Sequence, residues 1–165
     1  KIYNLRNFGI QNEEVVEDIG INGKMNEFQA AWGLLNLKQY KKEQERRKEI
    51  KAIYDNGLEN VKGIRIPKMP LNVTNSYQYY PLVIEDEFGK SRDEIYDMFK
   101  KQNIYTRKYF YPACHDYDCY KNDITVKTAR LRTTDDLKHR VLCLPFYGSL
   151  DKKIAAHICE VIKCM

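Results

Sequence analysis

Up to Met25 the chain is punctuated rather than periodic. Lys1 to about Asn7 reads as the end of a helix or strand, and Gly9 to Gly20 as a loop carrying Glu13, Glu14, Glu17 and Asp18. Gly20-Ile21-Asn22-Gly23 has the residues of a sharp turn. Beyond it the pattern becomes helical: Phe28, Ala31, Leu34, Leu35 and Leu37 fall on one stripe, with Trp32 beside it. Asn26 is placed to cap that helix, and Glu27 follows at the positive end of its dipole. A charged stretch from Lys38 to Lys51 contains the favourable i,i+4 pair Glu43–Arg47 and reads as a solvated face. Ile50, Ile53, Tyr54 and Leu58 then restore an apolar stripe. One long helix or two consecutive ones fit this pattern, with a break expected between Leu37 and Tyr40. Phe28, Trp32 and Leu35 are expected in the core, because they repeat at helical spacing.

After Gly63 the texture changes. Ile64 to Pro67 is a short strand candidate, Pro70 to Asn75 a loop, and Tyr77 to Ile84 a strand rich in aromatic and β-branched residues. Ser91-Arg92-Asp93-Glu94 has the form of a capping box and opens a helix running to about Gln102 on Ile95, Met98 and Phe99. Asn103 to Tyr111 reads as a strand ended by Pro112, Asp116 to Asp123 as loop, and Thr125 to Leu137 as helix. Val141 to Pro145 is a short buried strand, and Ser149-Leu150-Asp151 opens a last helix on Ile154, Ile158, Val161 and Ile162. The expected order is helix, strand, strand, helix, strand, helix, strand, helix: an α/β domain with a small sheet and a long first helix.

Composition narrows the class. The 165 residues suffice for one sizeable domain with a remnant of another. No apolar run approaches the ~20 residues of a membrane span. Lys1 opens in mid-element sequence without the form of a secretion signal, as expected of a piece of a longer chain. The net charge of +5, from 28 basic and 23 acidic residues, is mild and suits anionic small molecules as well as nucleic acid. The charges are mixed in sign and the 13 tyrosines are scattered, so no nucleic-acid stripe is formed. Cys114, Cys119, Cys143, Cys159 and Cys164 have no disulfide-framework spacing, which favours a reducing cytoplasm. Cys114-His115…Cys119 and His157-Cys159…Cys164 match no standard zinc spacing, and no metal site is expected.

Five ordered blocks carry a resemblance. They are Leu5-Arg6-Asn7-Phe8-Gly9; Gly20 to Ala31 with Gly33-Leu34-Leu35-Asn36-Leu37; Arg46-Arg47 with Tyr54; Tyr109-Phe110-Tyr111-Pro112; and Leu144-Pro145-Phe146-Tyr147. Together they resemble the DegT/DnrJ/StrS-type family of pyridoxal-phosphate-dependent sugar-nucleotide aminotransferases, over nearly the whole chain. The resemblance implies the C-terminal small domain of an aspartate-aminotransferase-type fold: a small, mainly antiparallel sheet, flanking helices and a long N-terminal helix. Residues 1–22 would be a remnant of the large cofactor-binding domain and its connecting loop, and 23–165 the C-terminal domain. It further implies a homodimer with active sites at the subunit interface, where Asn22 would reach the cofactor phosphate of the partner subunit. A side-chain amide and turn N–H groups are suitable neutral donors to a phosphate dianion.

Lys24 stands where many relatives have arginine and would lie near the nucleotide diphosphate or the cofactor phosphate. Arg107 and Tyr109 would lie near the sugar or diphosphate, the aromatic form of their segment resembling members that aminate carbon 4 of a dTDP-linked 4-keto-6-deoxyhexose. The lysine that covalently holds the cofactor precedes Gly-Glu-Gly-Gly in the family, and no lysine here has that context. This chain alone is therefore not expected to transaminate, nor to carry a catalytic residue. By itself it is expected to leave surface exposed around Trp32, Leu35 and Phe110, or covered by a second copy.

Plainer readings remain open beside these. Asn22 between glycines is ordinary turn chemistry, Lys24 fits a solvated surface lysine, and Arg107 fits an edge-strand charge. At the level of the whole protein, a sugar dehydratase of the same fold and a non-catalytic binding module stay as alternatives.

Overall fold

The computed structural model describes residues 1–121 and 131–165, which form two compact units, Lys1–Lys41 and Lys42–Met165. The part of the expected Thr125–Leu137 helix that covers 125–130 lies outside the described residues; Arg132–Leu137 is helical.

The first unit opens with a single helical turn, α1 (Ile2–Leu5), and an extended loop. Its ordered helix is the start of α2 (Glu27–Leu58), which runs for 32 residues without interruption. Asn26 caps it reciprocally: Gln29 N–H donates to Asn26 Oδ1 (2.8 Å), and Asn26 N–H donates to Gln29 Oε1 (3.1 Å). The break expected between Leu37 and Tyr40 does not exist. From Leu34 to Asn56 no glycine or proline interrupts the helix, and i,i+4 pairs such as Glu43–Arg47 and Lys51–Asp55 support its charged middle. The expectation that Phe28, Trp32 and Leu35 are core is corrected: they are 78%, 60% and 55% exposed. Helical spacing puts them on one face, but among the described residues that face stays exposed.

The second unit is built on a three-stranded antiparallel sheet, β1 (Ile64–Arg65), β2 (Pro81–Ile84) and β3 (Val141–Cys143), in the order β1-β2-β3. Ile64 pairs with Ile84, and Leu82 with Leu142. Around it pack the C-terminal half of α2, α3 (Arg92–Lys101) and α6 (Lys152–Lys163), while two short helices, α4 (Asp118–Lys121) and α5 (Arg132–Leu137), lie between α3 and β3 in the chain. Ile50, Tyr54 and Leu58 of α2 join Leu82, Ile84, Ile95, Phe99, Leu142, Ile158 and Ile162 in one buried cluster. The capping box at Ser91 is present, with Glu94 N–H donating to Ser91 Oγ and Ser91 N–H to Glu94 Oε2. Asp151 caps α6 through Lys153 N–H.

At Gly57, α2 lies close against α6. A Cβ there would stand 2.6 Å from Cys159 Sγ and 2.8 Å from Cys159 Cβ. A glycine that costs helix propensity is retained where two helices need the room.

Two expected strands are shorter than their patterns suggested. The run from Tyr77 pairs only from Pro81, because Tyr77 takes a left-handed backbone (φ 53°) and donates its N–H to Asn75 Oδ1 (2.7 Å). The strand expected over Asn103–Tyr111 contracts to one bridge, Arg107 opposite Cys143. Asn103 is spent in a left-handed turn ending α3, and Tyr111 N–H closes a turn onto the Lys108 carbonyl (2.7 Å). Among the described residues no helix is long and apolar enough to cross a membrane.

Candidate functional site

In the first unit, two of the sequence blocks hold each other. Asn7 and Asn22 form an antiparallel bridge: Phe8 N–H donates to the Ile21 carbonyl (3.1 Å) and Gly23 N–H to the Arg6 carbonyl (2.7 Å). Ile21 N–H donates to Leu5 O (2.9 Å). The chains approach so closely that a Cβ on Gly20 would stand 2.2 Å from Gly9 N and 2.6 Å from Leu5 O, so only glycine fits.

Lys24 folds back onto the same clamp. Its Nζ donates to Asn7 Oδ1 (2.9 Å) and sits 4.6 Å from the centroid of the Phe8 ring. An ammonium has three donors, so the Asn7 bond leaves capacity for an anion. Asn22 is exposed, and among the described residues its side chain has no partner. The N–H groups of Ile21 and Gly23 are already used by Leu5 and Arg6. The exposed side-chain amide of Asn22 is therefore a donor the turn leaves unused.

In the second unit, Arg107 lies at the free edge of β3, exchanging both backbone bonds with Cys143 (2.9 and 2.8 Å) while its side chain is exposed. Tyr109 is half-buried two residues on. It packs edge-on against Tyr79 (centroids 5.1 Å) and stacks on Phe110 (4.8 Å), which is 67% exposed. Beside this pair a cavity of about 370 Å³ is lined by Ala113, Cys114, Leu137, Lys138 and Val141. The structure thus assembles Asn22 with Lys24 in one unit and Arg107 with Tyr109 in the other.

The remaining blocks prove to be architecture. Tyr54 is fully buried and donates its hydroxyl to the Pro145 carbonyl (2.8 Å), joining the Arg46–Tyr54 block to Leu144–Tyr147. Burial holds the Tyr54 phenol protonated well above the usual tyrosine range. Glu43 accepts from Arg47 Nε (2.8 Å) and Gly148 N–H (2.9 Å), and Arg47 Nη1 donates to the Tyr77 carbonyl (3.0 Å). The Arg47 hydrogen bond, opposed by burial and aided by the Gly148 N–H, holds the Glu43 carboxyl below the usual carboxylate range.

Two residues have roles that the sequence reading did not give them. Asn7 holds Lys24, although its block had been noted only as a match. Arg92 is 1% exposed, donates from Nη1 to the carbonyls of Lys138 (3.1 Å) and Val141 (3.4 Å), and lies 4.9 Å from the Tyr111 ring centroid. Its signal was available: a cation on the first turn of a helix opposes the dipole, so something else must retain it there. Burial works against the charge of Asp93, yet Lys108 and Arg92 beside it hold its carboxyl below the ordinary range. Lys138 is drawn upward by hydrogen bonds to Asp116 and Asp135, and His115 Nε2 lies 2.9 Å from Asp135 Oδ1.

The fold recurs in solved structures. A structure of DesI in the presence of its TDP-sugar product is 27% identical, with a TM-score of 0.84 over 99% of this chain and 41% of that one. A Bacillus cereus protein described as a PLP-dependent aminotransferase is 26% identical, with a TM-score of 0.83 over 98% of this chain and 43% of that one. The class is therefore that of pyridoxal-phosphate aminotransferases, of whose length this chain spans about two-fifths. The Escherichia coli dTDP-4-amino-4,6-dideoxy-D-glucose transaminase is 39% identical over 98% of the chain, which spans 44% of that relative's length. Residues 1–163 match the DegT/DnrJ/EryC1/StrS aminotransferase family, and the chain belongs to it.

Proposed function

We propose that this chain supplies the C-terminal domain of a pyridoxal-phosphate-dependent aminotransferase that transfers an amino group from glutamate to a dTDP-linked 4-keto-6-deoxyhexose. The observation that carries this reading is the clamped turn, in which Asn22 is exposed with its amide unpartnered among the described residues and Lys24 is held by Asn7, the residue bridged to Asn22. Kinship supports the substrate class: the relative from Escherichia coli is a dTDP-amino-sugar transaminase, and DesI has a TDP-sugar product.

The donor set fits the cofactor phosphate. A neutral amide and a primary ammonium, both exposed, complement a dianion without stranding a buried charge. Pyridoxal phosphate, when bound, supplies the electron sink that lets an amino group move between carbon skeletons. Asn22 donates to the phosphate held by the partner subunit of a homodimer, which suits a side chain with no partner among its own described residues. Lys24 adds positive charge at the phosphate side, with its direction set by Asn7. Arg107 and Tyr109 face the sugar or diphosphate, Tyr109 in an orientation fixed by Tyr79 and Phe110. In this reading residues 1–22 continue the cofactor-binding domain, 23–165 form the C-terminal domain, and the enzyme works in the cytoplasm. No lysine of this chain stands before a Gly-Glu-Gly-Gly sequence, so the lysine that holds the cofactor and moves the proton belongs to the parent enzyme's other domain.

The test compares the full-length parent with this chain, using glutamate and dTDP-4-keto-6-deoxyglucose. The parent is expected to form the 4-amino sugar and the chain alone none; amination by the chain alone, or none by the parent, overturns the proposal. Asn22→Ala in the parent should weaken cofactor affinity about tenfold, the scale of one lost hydrogen bond to a charged group. Unchanged affinity returns Asn22 to a plain turn residue.

A further inference from the structure

The Tyr109–Pro112 segment is not held by strand pairing, which stops at Arg107. Something else must fix the direction of its aromatic side chains, and the contacts converge on the first turn of α3. Arg92 is buried there, with its guanidinium 4.9 Å from the centre of the Tyr111 ring. Its Nη1 donates to the carbonyls of Lys138 and Val141, tying it to the chain that enters β3. Its Nε lies 2.7 Å from Asp93 Oδ1, an ion pair without hydrogen-bond alignment, and among the described residues Nη2 has no partner. Asp93 also binds Lys108, whose Nζ sits 4.3 Å from the Tyr96 ring centroid. The segment is therefore gripped at Lys108 through Asp93 and at Tyr111 through Arg92. Tyr109 and Phe110 stand between the two grips, stacked and turned against Tyr79.

A buried guanidinium with one unsatisfied N–H₂ group is costly, and a helix N-terminus is an unfavourable place for a cation. A planar, permanently charged group that can stack on an aromatic ring and bond carbonyls in the same pose explains why arginine stands there rather than lysine. We infer that Arg92 is a positioning residue: through Tyr111 and the Asp93–Lys108 pair it sets the pose of Tyr109 and Phe110, which determines how tightly the nucleotide-linked sugar is held. The second half of that statement rests on the aminotransferase reading above; the first half does not.

Two variants of the full-length parent test it. Arg92→Lys keeps the charge but loses the plane, and Tyr111→Leu keeps the arginine but removes the ring on which it stacks. Both should raise KM for the nucleotide sugar about tenfold while kcat and the KM for glutamate stay within about twofold. Amide hydrogen exchange should accelerate at Tyr111 and its neighbours while the β2–β3 ladder keeps its protection. Should Arg92→Lys fail to fold, Tyr111→Leu alone decides. An unchanged sugar KM with unchanged exchange overturns the inference, as does an equal loss for both substrates, which marks a merely structural role. If the wild-type parent does not aminate the sugar, the functional reading fails, and exchange still decides whether Arg92 orders the segment.

Discussion

Replacing Gly57 by alanine sets two effects of known size against each other. In an exposed helix the change would stabilise by about 1 kcal/mol, because alanine loses less backbone freedom. Here the new methyl would stand 2.6 Å from Cys159 Sγ and 2.8 Å from Cys159 Cβ, against an ordinary carbon contact of about 3.5–4.0 Å. Cys159 is 2% exposed in the packed cluster with Ile158 and Ile162, so it has little room to yield. Overpacking of this kind costs about 1–3 kcal/mol. The expected outcome is therefore a net loss of about 1–2 kcal/mol at the high end of that range, read as a lower urea midpoint by far-ultraviolet circular dichroism. Cys159→Ala removes the sulfur but leaves its Cβ, so it should recover only part of the loss. A double-mutant cycle should then give a favourable coupling of about 1 kcal/mol. A Gly57→Ala protein with a raised midpoint would refute the packing argument outright.

Further outcomes follow from single contacts. Tyr54→Phe leaves the Pro145 carbonyl without its hydroxyl partner and should lower stability by about 1 kcal/mol in the same urea assay. Ser91→Ala breaks the reciprocal cap of α3 and should cost about 1 kcal/mol, while Ser91→Thr, which keeps the hydroxyl that donates to Glu94 Oε2, should recover most of it. Burial pushes the thiols of Cys143 and Cys159 up to about 11, so near pH 8 Ellman's reagent should titrate Cys114, Cys119 and Cys164 promptly and the other two only after denaturation. Because these folded-state values are raised, their contribution to stability is whole below the unfolded thiol range. It should be lost as pH rises towards 11, measured by urea midpoints across that interval.

What could be read from the sequence was local or carried by ordered blocks. The Ser91–Glu94 cap involves residues three apart, and the short strand at Val141 is a compact apolar run, so both were legible. The long reach was not. Phe28, Trp32 and Leu35 repeat as a core stripe would, yet periodicity says nothing of what lies opposite, and they are exposed. The aromatic run before Pro112 has strand composition, but its pairing is limited by a turn at Lys108–Tyr111. At the candidate site, the block supplied Asn22 and Lys24 as candidates, whereas the Asn7–Lys24 bond joins residues 17 apart and needed the fold. Arg92 left one local signal, a cation on the first turn of α3, but its burial and its carbonyl partners at Lys138 and Val141 lie 46 and 49 residues away and needed the fold.

The bond from Tyr54 to Pro145 spans 91 residues, and that from Gly148 to Glu43 spans 105. During translation at roughly 5–20 residues per second, the apolar stripe Ile50-Tyr54-Leu58 is made about 5–20 s before the segments that close over it. A ribosome therefore presents the apolar face of α2 incompletely covered, with Tyr80 and β2 to pack on it but not Leu142 or Ile158, until β3 and α6 have emerged. Nascent chains of this domain should be clients of holding chaperones for most of their synthesis, and stalling short of α6 should send them to aggregation or proteolysis rather than to a partly folded store.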